Sequence, residues 1–289
     1  MKYLLAVGCS FTAGSGLPQY IIVTDNNVPA HANDAAPYLV AKKLGLYSTG
    51  NADGKRPEYV NLSQGGVCNS FIRRKTINWL YVNKDIWKDI IVLVGWTNPL
   101  RDEVFVSDWY PENNDVSFCH LDHSDGYLQL GSKSPHGSSY VPKFLKEHHL
   151  IDNNFYKEYM VRHYSFENQI STTIDNILTL QNFLKLNDIK YVFWNSLNPR
   201  KKDATLYPKG KSQHDHPDLY KWNKKRKYLS HQEWVIGMDN SWEEFMDDLD
   251  PPKGLKYRLE GDDHPNELGH KLWADEIYKK IEELYGKEL

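Results

Sequence analysis

The chain of 289 residues has little cysteine: Cys9, Cys68 and Cys119 are all it carries, and none belongs to a Cys-x-x-Cys pair. Three thiols cannot build a disulfide framework, which excludes a small bridge-stapled scaffold and favours a reducing compartment. Long apolar runs are missing too, so nothing in the sequence approaches a bilayer span, and no membrane partner is expected. Only five apolar residues, Tyr3 to Val7, precede the first small-residue turn, too few for a secretory signal. The expectation is a soluble, cytoplasmic protein. An excess of basic residues is also lacking: 35 Lys and Arg stand against 38 Asp and Glu, a formal net charge of −3, which disfavours nucleic acid as a general partner. No internal repeat and no low-complexity tract occurs.

Aromatic residues, by contrast, are plentiful, with 19 Tyr and 9 Trp. Such a content suits either core packing or a surface that grips sugars and other flat groups, and packing is the commoner use. Apolar runs at Tyr3 to Val7, Tyr59 to Leu62, Ile90 to Val94 and Tyr191 to Trp194 read as strands. Helical spacing covers Ala35 to Leu44, Phe71 to Val82 and Tyr156 to Leu186. Continuous apolar strands alternating with amphipathic helices indicate a parallel sheet covered on both faces. The fold class expected is therefore α/β: one three-layer, flavodoxin-like domain over 1–289. Polar insertions interrupt it at about 101–154 and 198–232. From Arg200 to Tyr228 ten Lys or Arg oppose three Asp, whereas from Asp239 to Asp263 nine acids oppose three bases. The two segments either pair with each other or leave a basic rim, with Lys224, Lys225, Arg226 and Lys227 as candidate contacts to an anionic substrate.

Chemistry concentrates where strands end. The first apolar run breaks into Gly8-Cys9-Ser10-Phe11-Thr12, which sets a serine at the carboxyl edge of a sheet, the usual place for ligands in such folds. Near the other end, Asp262-Asp263-His264-Pro265-Asn266 feeds an amphipathic helix and offers a histidine beside carboxylates. A serine is a weak nucleophile until a base takes its proton and an acid orients that base. Asn61 to Asn69, with Gly65-Gly66, and Gly95-Trp96-Thr97-Asn98 follow two further strands.

Taken together, Gly8-Cys9-Ser10, the Gly66 turn, Gly95 to Asn98 and Asp262 to His264 resemble the four blocks of the SGNH (GDSL-like) hydrolase family. Cys9 stands where that family usually has aspartate, the asparagine of the third block comes one residue late, and the acid lies two residues before the histidine. The resemblance implies a Ser10, Asp262, His264 triad, with Asp263 the alternative acid. It also implies an oxyanion hole from Ser10, Gly66 and Asn98, with Thr97 able to take the place of Asn98. It implies no metal and no organic cofactor. The activity expected is a serine esterase or deacetylase acting on an O-acyl ester, with a small-molecule or glycan ester as substrate and a carbohydrate carrier favoured over a lipid. An acyltransferase would use the same triad.

Other readings stay open at this point. Cys9 is a rival nucleophile, because a thiolate attacks well at neutral pH. Cys119-His120-Leu121-Asp122-His123, His148-His149 and His214-Asp215-His216 contain metal-ligand types without a tight ligand spacing. A non-catalytic module of the same fold would bind a glycan or, through the basic run with its interleaved aromatics, nucleic acid. Asn61 and Asn69 read as turn and cap residues.

Overall fold

The computed structural model describes residues 1–18, 33–46, 56–99, 101–105, 121–122, 127–130, 166–197, 224–250 and 255–286. Four strands form a parallel sheet: β1 (Tyr3–Gly8), β2 (Tyr59–Asn61), β3 (Ile90–Trp96) and β7 (Lys190–Asn195), in the order β2-β1-β3-β7. All seven residues of β3 are buried, as are Leu4 to Gly8 of β1 and Tyr191 to Asn195 of β7. Burial on both faces explains why these runs are continuously apolar rather than alternating. The register pairs Gly8 with Gly95, and Gly95 with Trp194, so the strand ends align along one edge.

Helices cover the sheet in a three-layer α/β arrangement. α2 (Ala36–Lys43) packs with α6 (Glu267–Tyr285), and α3 (Asn69–Val82) packs with α4 (Phe166–Leu186). The expected helices over Ala35 to Leu44 and Phe71 to Val82 are found almost residue for residue. The third is described only from Phe166 onward.

A fifth position extends the sheet beyond β7. Trp234 pairs in parallel with Phe193, and Ser241 with Asn195, as isolated bridges before α5 (Trp242–Leu249). The Asn195 amide donates to the carbonyls of Met238 (2.9 Å) and Asn240 (3.2 Å), tying the entry of α5 to the end of β7. Ser241 then opens α5 through a capping box with Glu244, which satisfies two otherwise orphaned N–H donors.

Of the polar stretch 101–154, only 101–105, 121–122 and 127–130 are described, and these hold short strands. Immediately after the β3 turn, β4 (Asp102–Phe105), β5 (Leu121–Asp122) and β6 (Tyr127–Leu130) form an antiparallel sheet in the order β4-β6-β5. Of the second insertion, 198–223 lies outside the described residues, and Lys224–Tyr228 forms a 3₁₀ turn against α4.

Tryptophan is used for packing. Trp96, Trp194, Trp234, Trp242 and Trp273 are all fully buried, and Trp242 stacks on Trp273 with ring centroids 5.3 Å apart and planes 8° from parallel. These rings fill space between sheet and helices, so they are no part of a sugar-gripping surface. Among the described residues no helix is long and apolar enough to cross a membrane.

Candidate active site

The turn after β1 closes into α1 (Ser10–Ala13), a single helical turn whose N-cap is Cys9. Ser10 is therefore the first helical residue and not the cap. Two glycines permit this tight entry. A Cβ on Gly95 would lie 2.2 Å from Thr12 Oγ1 and 2.7 Å from Ser196 Oγ, and one on Gly8 would lie 2.2 Å from the same Thr12 oxygen. Only bare backbone at both strand ends lets α1 sit directly on the sheet edge. Ser10 retains 7% of its surface, whereas Cys9 has none and belongs to the apolar core.

The loop after β2 is drawn to the same edge by a hydrogen bond from Gln64 N–H to the Gly8 carbonyl (3.0 Å). Gly66 adopts φ 76°, a left-handed conformation that glycine reaches without steric cost. Among the described residues, neither the Ser10 nor the Gly66 N–H is used by a turn or loop hydrogen bond. Asn61 behaves as the sequence suggests, its side-chain oxygen accepting from Ser63 N–H at 2.9 Å.

Asn69 does not. Cys68 caps α3 instead, its sulfur accepting from Phe71 N–H at 3.4 Å. The Asn69 side chain turns to Thr97, accepting from its N–H (2.9 Å) and donating to its carbonyl (3.1 Å). This two-way clamp joins the second and third blocks, and only the proximity of the strand ends in space reveals it. Thr97 is buried and, among the described residues, its hydroxyl has no partner; Asn98 accepts at its backbone carbonyl from Arg101 N–H (3.2 Å).

At the far end of the chain, His264 Nδ1 lies 2.6 Å from Asp262 Oδ1, which also accepts from His264 N–H at 3.0 Å. A carboxylate only accepts, so Nδ1 carries a proton, and in the neutral ring the lone pair falls to Nε2. That Nε2 is buried and, among the described residues, without a partner, and the imidazole packs against Phe11, the residue after Ser10, at 5.3 Å between centroids. Burial alone would raise the Asp262 carboxyl, but the hydrogen bonds from the His264 ring and backbone and from the Asp263 N–H outweigh it. The group is held below its ordinary value. Asp263 contributes its carbonyl to Arg258, and among the described residues its carboxylate pairs with nothing.

His270, six residues on, is fully buried under Trp242 and accepts from Ala36 N–H at 3.1 Å through Nδ1. Burial, aided by the nearby His264, lowers its pKa to about 3.

In the basic run, Lys225 Nζ is 2.6 Å from Asp175 on α4, Arg226 pairs with Asp239, and Lys227 lies over the Tyr228 ring. The pairing of basic with acidic segments is thus seen at Arg226 and Asp239. Among the described residues no group of His, Cys, Asp and Glu is arranged to hold a metal ion. Cys119, His120, His123, His148, His149, His214, Asp215 and His216 lie outside them, as does the Asp122 side chain.

No curated protein matches this chain. Among solved structures it aligns over 98% of its length with 99% of TesA, at 10% identity and a TM-score of 0.46. It also aligns over 99% of its length with all of the psychrotrophic esterase EstA from Pseudoalteromonas sp., in a structure inhibited by monoethylphosphonate, at 11% identity and a TM-score of 0.47. A family of unknown function, DUF6071, matches residues 51–231, from the approach to β2 through to the basic run. With that match covering more than half of its residues, the chain belongs to the DUF6071 family.

Proposed function

We propose that this protein is a serine ester hydrolase of the SGNH type. The observation that carries the reading is His264: one ring nitrogen is held by Asp262, while the other is buried, unpartnered among the described residues and beside the residue that follows Ser10. In this mechanism His264 Nε2 takes the Ser10 hydroxyl proton as Oγ attacks the ester carbonyl, and Asp262 stabilises the imidazolium that forms. The N–H groups of Ser10 and Gly66 receive the developing oxyanion, with the Thr97 hydroxyl or the Asn98 side chain as a third donor. The imidazolium returns its proton to the departing alkoxide. Water then releases the acid from Ser10 by the same steps in reverse. No resident metal or organic cofactor enters this scheme. Lys225 and Arg226, whose charges are matched by Asp175 and Asp239, are given no part in substrate capture.

A short chromogenic acetyl ester should be turned over, a fluorophosphonate should label Ser10 stoichiometrically, and labelling should abolish turnover. O-acetylated carbohydrates are the first natural substrates to assay. Absence of both turnover and labelling in folded protein would refute the proposal.

The acid is tested separately. Asp262→Asn should lower turnover on the order of 10²- to 10⁴-fold, because an amide no longer stabilises the imidazolium or enforces its tautomer. Asp263→Asn should stay within about two-fold, since it leaves the carbonyl in place and removes a carboxylate that pairs with nothing among the described residues; surface changes of that kind are usually small. Equal losses in the two variants would overturn the assignment.

A further inference from the structure

The turn that carries Asp262 and His264 is closed by its own backbone. Arg258 and Pro265 form an antiparallel bridge, Leu259 N–H donates to the His264 carbonyl (2.9 Å), and Asn266 N–H donates to the Tyr257 carbonyl (2.9 Å). The Asn266 amide also reaches the carbonyls of Lys256 and Arg258, both at 2.9 Å. These bonds fix the ends of the turn. Asp262 N–H adds a bond to the Leu259 carbonyl (3.1 Å), and among the described residues none of these backbone bonds reaches the Asp263 carbonyl.

Arg258 reaches it. Its side chain is only 4% exposed, unusual for arginine, and its guanidinium spans two elements. One terminal nitrogen donates to the Asp263 carbonyl at 2.8 Å. The other donates to Asp247 Oδ1 at 2.8 Å and to the Glu243 carbonyl at 3.3 Å, both on α5. The Asp263 carbonyl belongs to the peptide whose N–H is that of His264, and that N–H points to Asp262 Oδ1. Holding the carbonyl therefore holds the plane in which acid and base meet. The far end of the strut is fixed as well. α5 begins with Trp242, which packs edge-on against Phe11 at 5.7 Å, and Phe11 touches His264. A closed path runs from Ser10 through Phe11, Trp242, α5 and Arg258 back to His264.

Building on the proposed function, we infer that Arg258 is a positioning residue: it locks the Asp263–His264 peptide to α5 and so sets the Asp262–His264 pair at the correct place relative to Ser10. Arginine suits this because its rigid planar fork serves separate acceptors at once, which a lysine ammonium on a flexible stem does not. Arg258→Lys keeps the charge and most of the stem while losing the fork. It should fold and lower kcat by about 10- to 100-fold, the scale of a misplacement near 1 Å, with KM changed less than about three-fold. In ¹⁵N-histidine spectra the downfield Nδ1–H signal of His264, present in the unaltered protein, should weaken or shift in the variant. Asp247→Asn, which releases the α5 end of the strut and leaves Arg258 in place, should move kcat and the His264 signal in the same direction by a smaller amount. It carries the test alone if Arg258→Lys does not fold. Unchanged kcat and an unmoved His264 signal in the folded variant would overturn the inference, as would equal losses in kcat and in binding. If the unaltered protein turns over no ester, the hydrolase reading fails on its own, and the imidazole signal still decides whether Arg258 sets the pair.

Discussion

Ser10→Ala and His264→Ala are each expected to lower ester turnover by about 10⁴- to 10⁶-fold, and the double variant to be scarcely worse than either. In the proposed mechanism nucleophile and base act as one unit: without the imidazole the hydroxyl keeps its proton, and without the hydroxyl the base has nothing to activate. On the proposed mechanism the residual activity comes from the oxyanion donors, which neither substitution removes. The readout is steady-state hydrolysis of the acetyl ester, with circular dichroism and thermal melting confirming that each variant folds. Cys9→Ala is the matched control. Cys9 lies wholly in the apolar core at the cap of α1, so its loss should leave turnover within a few-fold. Should Cys9→Ala abolish turnover while Ser10→Ala retains it, the neighbouring thiol becomes the nucleophile and the triad falls.

The second large effect concerns stability. The His270 pKa is depressed from 6.5 to about 3, because the charged ring would be stranded between α2, Trp242 and α6 without water. Between those two values the unfolded chain binds a proton that the folded protein refuses, so stability rises with pH across the window. The contribution is full above about pH 6.5 and shrinks by roughly 1.4 kcal/mol for each pH unit as the pH falls toward 3. Urea unfolding at pH 7.5 and pH 5.0 should therefore differ by about 2 kcal/mol through this group alone. His270→Gln keeps an acceptor for Ala36 N–H and cannot titrate. Its stability at pH 7.5 will be lower through lost packing, but the difference between the two pH values should shrink by about that amount. A difference untouched by the substitution would mean that other groups set the acid limb.

The parallel sheet was legible because β1, β3 and β7 are buried on both faces, and a strand in that position must be apolar throughout. The Asp262–His264 pair was legible for a local reason: two residues in one turn meet whatever the rest of the chain does. What escaped was short or made by distant partners. β4, β5 and β6 have four, two and four residues, too few for alternation to rise above a polar background. The segment beside β7 makes only two isolated bridges. Asn69 looked like a cap, since asparagine is a favoured one, yet a cysteine sulfur took that place and freed the amide to clamp Thr97. Arg258 gave no signal at all, because one of three cations in an acidic stretch reads as solvated. Its burial depends on α5, whose place is in turn fixed by the end of β7.

The hydrogen bond between Ala36 and His270 spans 234 positions, and the proposed mechanism likewise joins Ser10, after the first strand, to His264, just before α6. At about 5–20 residues per second, a ribosome needs roughly 10 to 50 s to travel from one to the other. By the close of that interval β1, β2, β3 and β7 with α2, α3 and α4 have been made, while the proposed base is still missing. On the proposed mechanism, acyl transfer begins only once His264 has been made and α6 has docked on α2. Appearance of turnover during cell-free translation would serve as a clock for completion of the fold.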